Sequence, residues 1–228
     1  MVRIGGQLDT LIRSDNVRTK GFATTTKNFK LISEQQRKYY KYQPQNWVQP
    51  TLSSNGTLGG SSFAVSASNE YSSSYRAYKA FDGSSSTNWL ASSYSNSDLP
   101  QSLIFYNETP INVQSIKITN RGTYATYATA GNVYGCNDNS SWELIGTFTN
   151  TTATTTLANW NIDLSSNAEY YKYHKIEFTQ ATWSTQASNG FGVNEVDITA
   201  YTRTIVNSTE ADYDFYRDVD VFKAIRSY

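Results

Sequence analysis

Residues 113–119 read Val113-Gln114-Ser115-Ile116-Lys117-Ile118-Thr119. Ile116 and Ile118 alternate with Lys117 and Thr119, so an extended chain here turns one side to a core and the other to water. The same texture recurs outward from this stretch, in Ser102–Tyr106, Trp142–Phe148, Tyr171–Phe178 and Val193–Tyr201. In the fourth of these runs Tyr173 and Lys175 flank His174, and Ile176 alternates with Glu177. Gly, Asn, Asp and Ser separate the runs, and no sustained helical period intervenes. Antiparallel sheets packed face to face account for such a pattern better than βαβ units do. The expected fold class is therefore all-β, a sandwich.

The flanks have a different texture. Residues 1–45 hold few large aliphatics and carry Lys20, Lys27, Lys30, Arg37, Lys38 and Lys41, so this arm cannot bury a core of its own. Ser33 with Gln36 three residues on forms a capping-box pattern, and Glu34–Tyr40 is expected as two turns of helix ending before Pro44. Beyond the sandwich at 46–202, residues 203–228 open with Thr209-Glu210-Ala211-Asp212 and close with Lys223 and Arg226, the charge order of a helix. Phe215, Val219, Phe222 and Ile225 give that helix an apolar stripe. The stripe must be covered, either by the chain's own sandwich or by another chain.

Composition limits the function classes. The 19 Lys and Arg balance 19 Asp and Glu among 228 residues, so no net field attracts nucleic acid or an anionic membrane. The 18 Tyr, 10 Phe and 5 Trp suit strands and sugar-facing surfaces. Cys136 is alone, which removes an intramolecular disulfide and predicts a small buried hydrophobe. No secretory leader and no run of about 18 apolar residues is read in the chain. For catalysis, His174 is the only histidine, no glycine-framed nucleophile is present, and Walker, dinucleotide and zinc-spaced patterns are missing. A non-enzyme is expected.

A second stretch points to a family. Tyr78-Lys79-Ala80-Phe81-Asp82-Gly83-Ser84-Ser85-Ser86-Thr87-Asn88-Trp89 resembles the signature near the start of discoidin domains, also called coagulation factor V/VIII type C domains. Later landmarks follow in the family's order. Leu103-Ile104-Phe105 stands at its next core strand, Val113–Ile118 resembles "V-x-x-I-x-I", and Asn120-Arg121-Gly122 follows. Gly131–Ile145 is similar to "gSnDg-x-W-x-x-L", Tyr171–Ile176 to "Y-R-Y-L-R-I", and Val193–Ile198 to the terminal "x-x-E-I-x-I". The resemblance covers about two thirds of the chain. It implies an eight-stranded jelly-roll-like sandwich, without catalytic activity, whose loops bind sugars, lipid headgroups or protein epitopes.

The resemblance also implies a structural calcium ion, as in carbohydrate-binding members. Carried onto this sequence, the ligands are the carboxylates of Asp82 and Glu195, Thr87 through its hydroxyl or carbonyl, and the carbonyls of Lys79 and Ser84. Oxygen donors of this mixture are what calcium takes. The chain departs from the pattern at Ser84, where many sugar-binding relatives have Asp or Asn.

Sugars are held by aromatic faces and a few directed hydrogen bonds, so loop aromatics are the candidates. The loop 120–132 offers Arg121, Tyr124 and Tyr127, and the Arg121 position resembles one that hydrogen-bonds sugar in related modules. The stretch 70–78 adds Tyr71, Tyr75 and Arg76, and 181–191 adds Trp183, Asn189 and Phe191. The three loops are expected to converge at one end of the sandwich, with Trp89, Trp142 and Trp160 in the core. No exposed apolar cluster suited to membrane insertion is read. The expected role is a non-catalytic adhesion module that binds surface carbohydrate, carried by a bacteriophage virion. Its arm would join other virion proteins or further copies of the chain. A structural virion adaptor and a protein of the bacterial cell surface are the alternatives.

Overall fold

The computed structural model describes residues 40–122, 126–183 and 190–207, with side chains for 44–122, 126–183 and 190–203. The arm through residue 39 and the tail from 208, with the expected helix and its stripe, lie outside the described residues. Nine strands are described: β1 Tyr40–Trp47, β2 Phe63–Ala67, β3 Trp89–Leu90, β4 Gln101–Asn120, β5 Tyr127–Cys136, β6 Glu143–Thr149, β7 Asn159–Asp163, β8 Tyr171–Thr182 and β9 Gly192–Asn207. Short 3-10 turns occupy Ala77–Ala80 and Asn96–Asp98. Among the described residues no helix is long and apolar enough to cross a membrane. Pro44–Arg203 form one compact unit.

The sandwich is organised by β4. Its first half pairs with β2 and β8, through Val65 opposite Phe105 and Phe105 opposite His174. Its second half pairs with β7 and β9, through Ile116 opposite Ile162 and Ile198. The ladder with β8 breaks between Tyr106 and Ile111, around Pro110, which has no N–H to give. One strand thus passes from the layer of β2, β8, β5 and β6 to the layer of β7 and β9, as strands do at sandwich corners. The two runs read separately at 102–106 and 113–119 are halves of this strand.

Ile111, Val113, Ile116 and Ile118 of β4 are all buried. The step of three between Val113 and Ile116 breaks strict alternation, and the register with β9 shifts between Val113 and Ser115. A bulge there returns Ile116 to the core face. In the same core lie Phe105, Phe178, Phe148, Trp160, Trp89 and Phe191, the last five in tilted or edge-on ring pairs. Such ring pairs add about 0.5–1.5 kcal/mol each beyond area burial. His174 is wholly buried and stacks on Phe105 at 4.9 Å and 9°. Cys136 is a buried free thiol, and burial pushes its pKa up.

Two expectations need correction. Tyr40, assigned to a helical turn, opens β1, a strand at the end of the sheet beside β9; Pro44 is tolerated there because an edge strand need not donate on both sides. Trp142, expected in the core, is only half-buried, and the Lys175 ammonium lies 5.4 Å from its ring. Trp89 and Trp160 are core residues.

Candidate functional site

Two neighbouring constellations come together where β3 meets the start of β9. The first is built on Asp82. The 3-10 turn at Ala77–Ala80 buries Ala77 and Ala80, Phe81 fills the core, and the chain then reverses at Gly83, whose φ of +70° suits a residue without a Cβ. Asp82 Oδ1 accepts from Ser84 N at 3.0 Å, and Thr87 Oγ1 donates to the same carboxylate at 2.8 and 2.9 Å. Thr87 Oγ1 also reaches the Ser84 carbonyl at 3.2 Å. Lys79 Nζ lies 3.9 Å from Asp82 Oδ2.

Strand β9 brings Glu195 to this turn, opposite Thr119 of β4. Gln49 fastens the preceding segment to the same strand, donating to the Val196 carbonyl and accepting from Ile198 N. Leu52 N donates to the Phe81 carbonyl, which holds the Asp82 turn in place. Glu195 is only 8% exposed, and neither carboxylate oxygen has a hydrogen-bond partner. Burial, then the charges of Asp82 and Asp197, push its pKa up to about 7. An unpartnered buried carboxylate beside a second one is the signature of a group awaiting a cation or a proton. The donor set fits a hard ion. Among the described residues no group of three or more His, Cys, Asp and Glu gathers, so the remaining ligands would be neutral oxygens such as Thr87 and the Lys79 and Ser84 carbonyls.

The second constellation hangs on residues 89–98. Tyr71 N donates to the Leu90 carbonyl, Leu90 N to the Tyr75 carbonyl, and Ala91 N to the Phe191 carbonyl. Phe191 N returns the bond to Ser93 O at 2.8 Å, and Ser92 N donates to Asn69 Oδ1. Asn96 Oδ1 then accepts from two donors of the 181–183 region, Ala181 N at 2.9 Å and Trp183 Nε1 at 3.1 Å. A Ser95–Asp98 capping box steadies this turn. Asp98 accepts from Tyr94 N and Ser95 N, and these bonds hold its carboxyl below the usual carboxylate range.

Beneath lies a polar layer. Arg121 follows β4 and is 3% exposed; its Nη1 donates to the Gly190 carbonyl at 2.9 Å. Gly190 has φ of +89°, and a Cβ there would stand 2.0 Å from the Ala91 carbonyl oxygen. Asn194 sits at the β4–β9 irregularity, buried, and accepts from Gly122 N. Above, the surface is aromatic. Tyr71 is 41% exposed and Tyr94 49%, while Tyr75 and Trp183 are half-buried. Tyr71 and Tyr75 rings lie 6.0 Å apart, and Trp183 leans on Phe191 at 6.4 Å.

The structure thus gathers Tyr71, Tyr75 and Trp183 around one segment. Arg121 departs from the expectation of a guanidinium offered to a ligand: it is buried, with Nη1 given to the chain's own carbonyl. Tyr127 departs as well, because it lies on β5 paired with Thr182 of β8 rather than in a loop. Tyr124 and Asn189 lie outside the described residues. Sequence reasoning missed Tyr94 and Asn96. The Ser95-x-x-Asp98 capping pattern beside them is the signal that marks this turn.

The model of the F5/8 type C domain matches residues 64–210. No curated protein matches the chain. Among solved structures, a fragment of a candidate chitobiase from Bacteroides thetaiotaomicron is similar at 16% identity and a TM-score of 0.53, covering 70% of this chain and 94% of its own. The family 32 carbohydrate-binding module of C. perfringens NanJ, solved with galactose, is similar at 22% identity and a TM-score of 0.48, covering 61% and 93%. A further module from Clostridium perfringens, solved with GalNAc-β-1,3-galactose, has 13% identity and a TM-score of 0.49, covering 60% and 94%. The family match extends from β2 through β9 and contains both constellations, and the chain belongs to the F5/8 type C domain family.

Proposed function

We propose that this chain is a non-catalytic carbohydrate-binding module, with its ligand on the rim formed by Tyr71, Tyr75, Tyr94 and Trp183. The observation that carries this reading is the attachment of all four aromatics to residues 90–98, directly or through Asn96. Ring faces fixed from below give a sugar an apolar surface at little cost in side-chain entropy. The family favours a ligand role without catalysis, and the lone histidine is buried away from any rim. A calcium ion held by Asp82 and Glu195, with Thr87 and the Lys79 and Ser84 carbonyls, would lock the 78–89 turn onto β9 and so stiffen the base of the rim.

In the same reading the module belongs to a larger assembly, a phage virion that contacts host glycan; a bacterial cell surface is the alternative location. The polar arm 1–45, which cannot form a core alone, supports attachment to virion proteins or to further copies of the chain. The stripe Phe215, Val219, Phe222 and Ile225 supports the second reading, a structural adaptor in which the sandwich only spaces the attachment segments. A glycan array probed with the full chain and with Trp183→Ala separates the two. Binding that the substitution abolishes, with an unchanged melting temperature, supports the module. A blank array at millimolar glycan rejects it in favour of the adaptor.

A further inference from the structure

We infer that the Lys79 side chain sets the calcium affinity of this module, holding it below what the two carboxylates alone would give. Its ammonium serves Asp82 as a counter-ion in the metal-free protein and opposes the ion when calcium binds. This rests on the calcium site proposed above and adds to it a side chain that acts against the metal. The first observation is where the charges stand. Lys79 Nζ lies 3.9 Å from Asp82 Oδ2, and the two side chains are only 23% and 12% exposed, so the pair is partly withdrawn from water. Glu195, the other carboxylate, is buried and accepts no hydrogen bond on either oxygen. A divalent ion shared by Asp82 and Glu195 would satisfy both carboxylates and leave the Lys79 charge over, a cation beside a cation.

The second observation is that the neighbouring oxygens bring no further negative charge. Asp197, two residues along β9 from Glu195, is paired with Lys117 at 2.8 Å. Ser84 turns its hydroxyl to that of Ser86, 2.9 Å away, and Thr87 Oγ1 is neutral and already donates to Asp82. Calcium sites tighten with the number of charged ligands, so against two carboxylates a single opposing ammonium weighs heavily. The third observation is that the Lys79 charge and the Lys79 carbonyl are held by different means. The carbonyl belongs to the 3-10 turn, where Ala77 and Ala80 are the buried positions and Lys79 N donates to the Arg76 carbonyl at 3.0 Å. The ammonium stands 5.0 Å from the centre of the Tyr78 ring, a contact that favours its present rotamer. A substitution can therefore remove the charge and leave the turn and its carbonyl in place.

The test is titration calorimetry of calcium chloride into the full chain at low salt. Lys79→Met and Lys79→Gln remove the charge, and each should bind calcium on the order of three- to tenfold more tightly than the parent. That gap should narrow in about 1 M salt, where the Debye length falls to about 3 Å. Lys79→Arg keeps the charge and should stay within about twofold of the parent. Parent affinity in both neutral variants overturns the inference and leaves the calcium site standing, and so does an equal gain in Lys79→Arg, which would assign the effect to packing. An absence of calcium binding in all four proteins removes the calcium site itself and the inference with it.

Discussion

The Glu195 carboxylate is buried close enough to Asp82 for the Asp82 charge to raise its pKa, and the two residues are dressed unequally. Asp82 accepts from Ser84 N and Thr87 Oγ1, whereas Glu195 has no hydrogen-bond partner on either oxygen. Two like charges held together by turn and strand oppose folding when both are ionised. A divalent cation between them reverses the sign of that term.

The consequence is a pH-dependent response to calcium. Glu195 titrates near 7 in the fold and near 4.5 when unfolded, so the folded state holds the extra proton between those values. The Glu195 contribution to the metal-free protein's stability should fall as pH rises from about 4.5 to about 7, then level off. Calcium competes with that proton, so its stabilisation should be larger at pH 8 than at pH 5. At a hundredfold excess over Kd it contributes about 2.7 kcal/mol, or roughly 5–10 °C in Tm for a domain of this size. Glu195→Gln should abolish the calcium response and remove the Glu195 contribution to the slope, leaving stability that rises with pH up to about 6.5. Differential scanning calorimetry with calcium and with EDTA reads this directly, and identical Tm values at pH 8 would mean that no calcium binds.

His174 gives a limb of opposite sign. Its imidazole is fully buried, neither nitrogen has a hydrogen-bond partner, and burial alone lowers its pKa to about 3. The unfolded chain takes up the proton below about 6.5 while the fold refuses it, so stability is complete above that pH and is lost on acidification toward 3. The full loss amounts to about 4–5 kcal/mol. His174→Phe keeps a ring against Phe105 and should flatten the limb. Urea unfolding at pH 7 and pH 4, with and without the substitution, measures it; the same comparison in a Glu195→Gln background isolates it from Glu195. An equal acid loss in both proteins would assign that loss to other groups.

The sequence announces strands where alternation is carried by large residues, as in β4, β8 and β9. It fails at β5, where Gly131 and Gly135 interrupt the pattern. A Cβ at Gly131 would stand 2.4 Å from the Phe148 ring, and one at Gly135 would stand 2.3 Å from Tyr171. The small residues of β5 are small because rings from other strands cover them, and that is information about partners, absent from the segment itself. The same interruption gives Tyr127, which lies on β5 opposite Thr182, the sequence surroundings of a loop residue. Arg121 shows the corresponding limit at the site. Its position was legible from Asn120-Arg121-Gly122, but its burial depends on Gly190, 69 residues away.

Gly190 is therefore a sensitive point. Its φ of +89° strains any side chain, and an added Cβ would press on the Ala91 carbonyl at 2.0 Å. Gly190→Ala should cost about 2 kcal/mol or more, through backbone strain and loss of the ladder between Ala91, Phe191 and Ser93. Gly60→Ala is the comparison, since its Cβ would meet only the Thr57 side chain and carbonyl at 3.3 Å or beyond. Equal urea midpoints for the two variants would show that the close approach at Gly190 is easily relieved.

Asn96 is the residue through which Trp183 is aimed. One oxygen, Oδ1, accepts both the indole N–H of Trp183 and the backbone N–H of Ala181, so it fixes a ring to the end of β8. Asn96→Ala leaves Ala181 N without its acceptor and should cost about 1–2 kcal/mol of stability. It also releases the indole to sample other rotamers, which must be frozen again on binding, and glycan affinity should fall roughly tenfold. Asn96→Asp retains an acceptor at this position and should recover most of that loss. A double-mutant cycle with Trp183→Ala tests whether the effect runs through the ring: once Trp183 is gone, removing Asn96 should change glycan affinity little. Additive losses would instead place Asn96 in contact with the ligand on its own account, with Trp183 positioned independently of it.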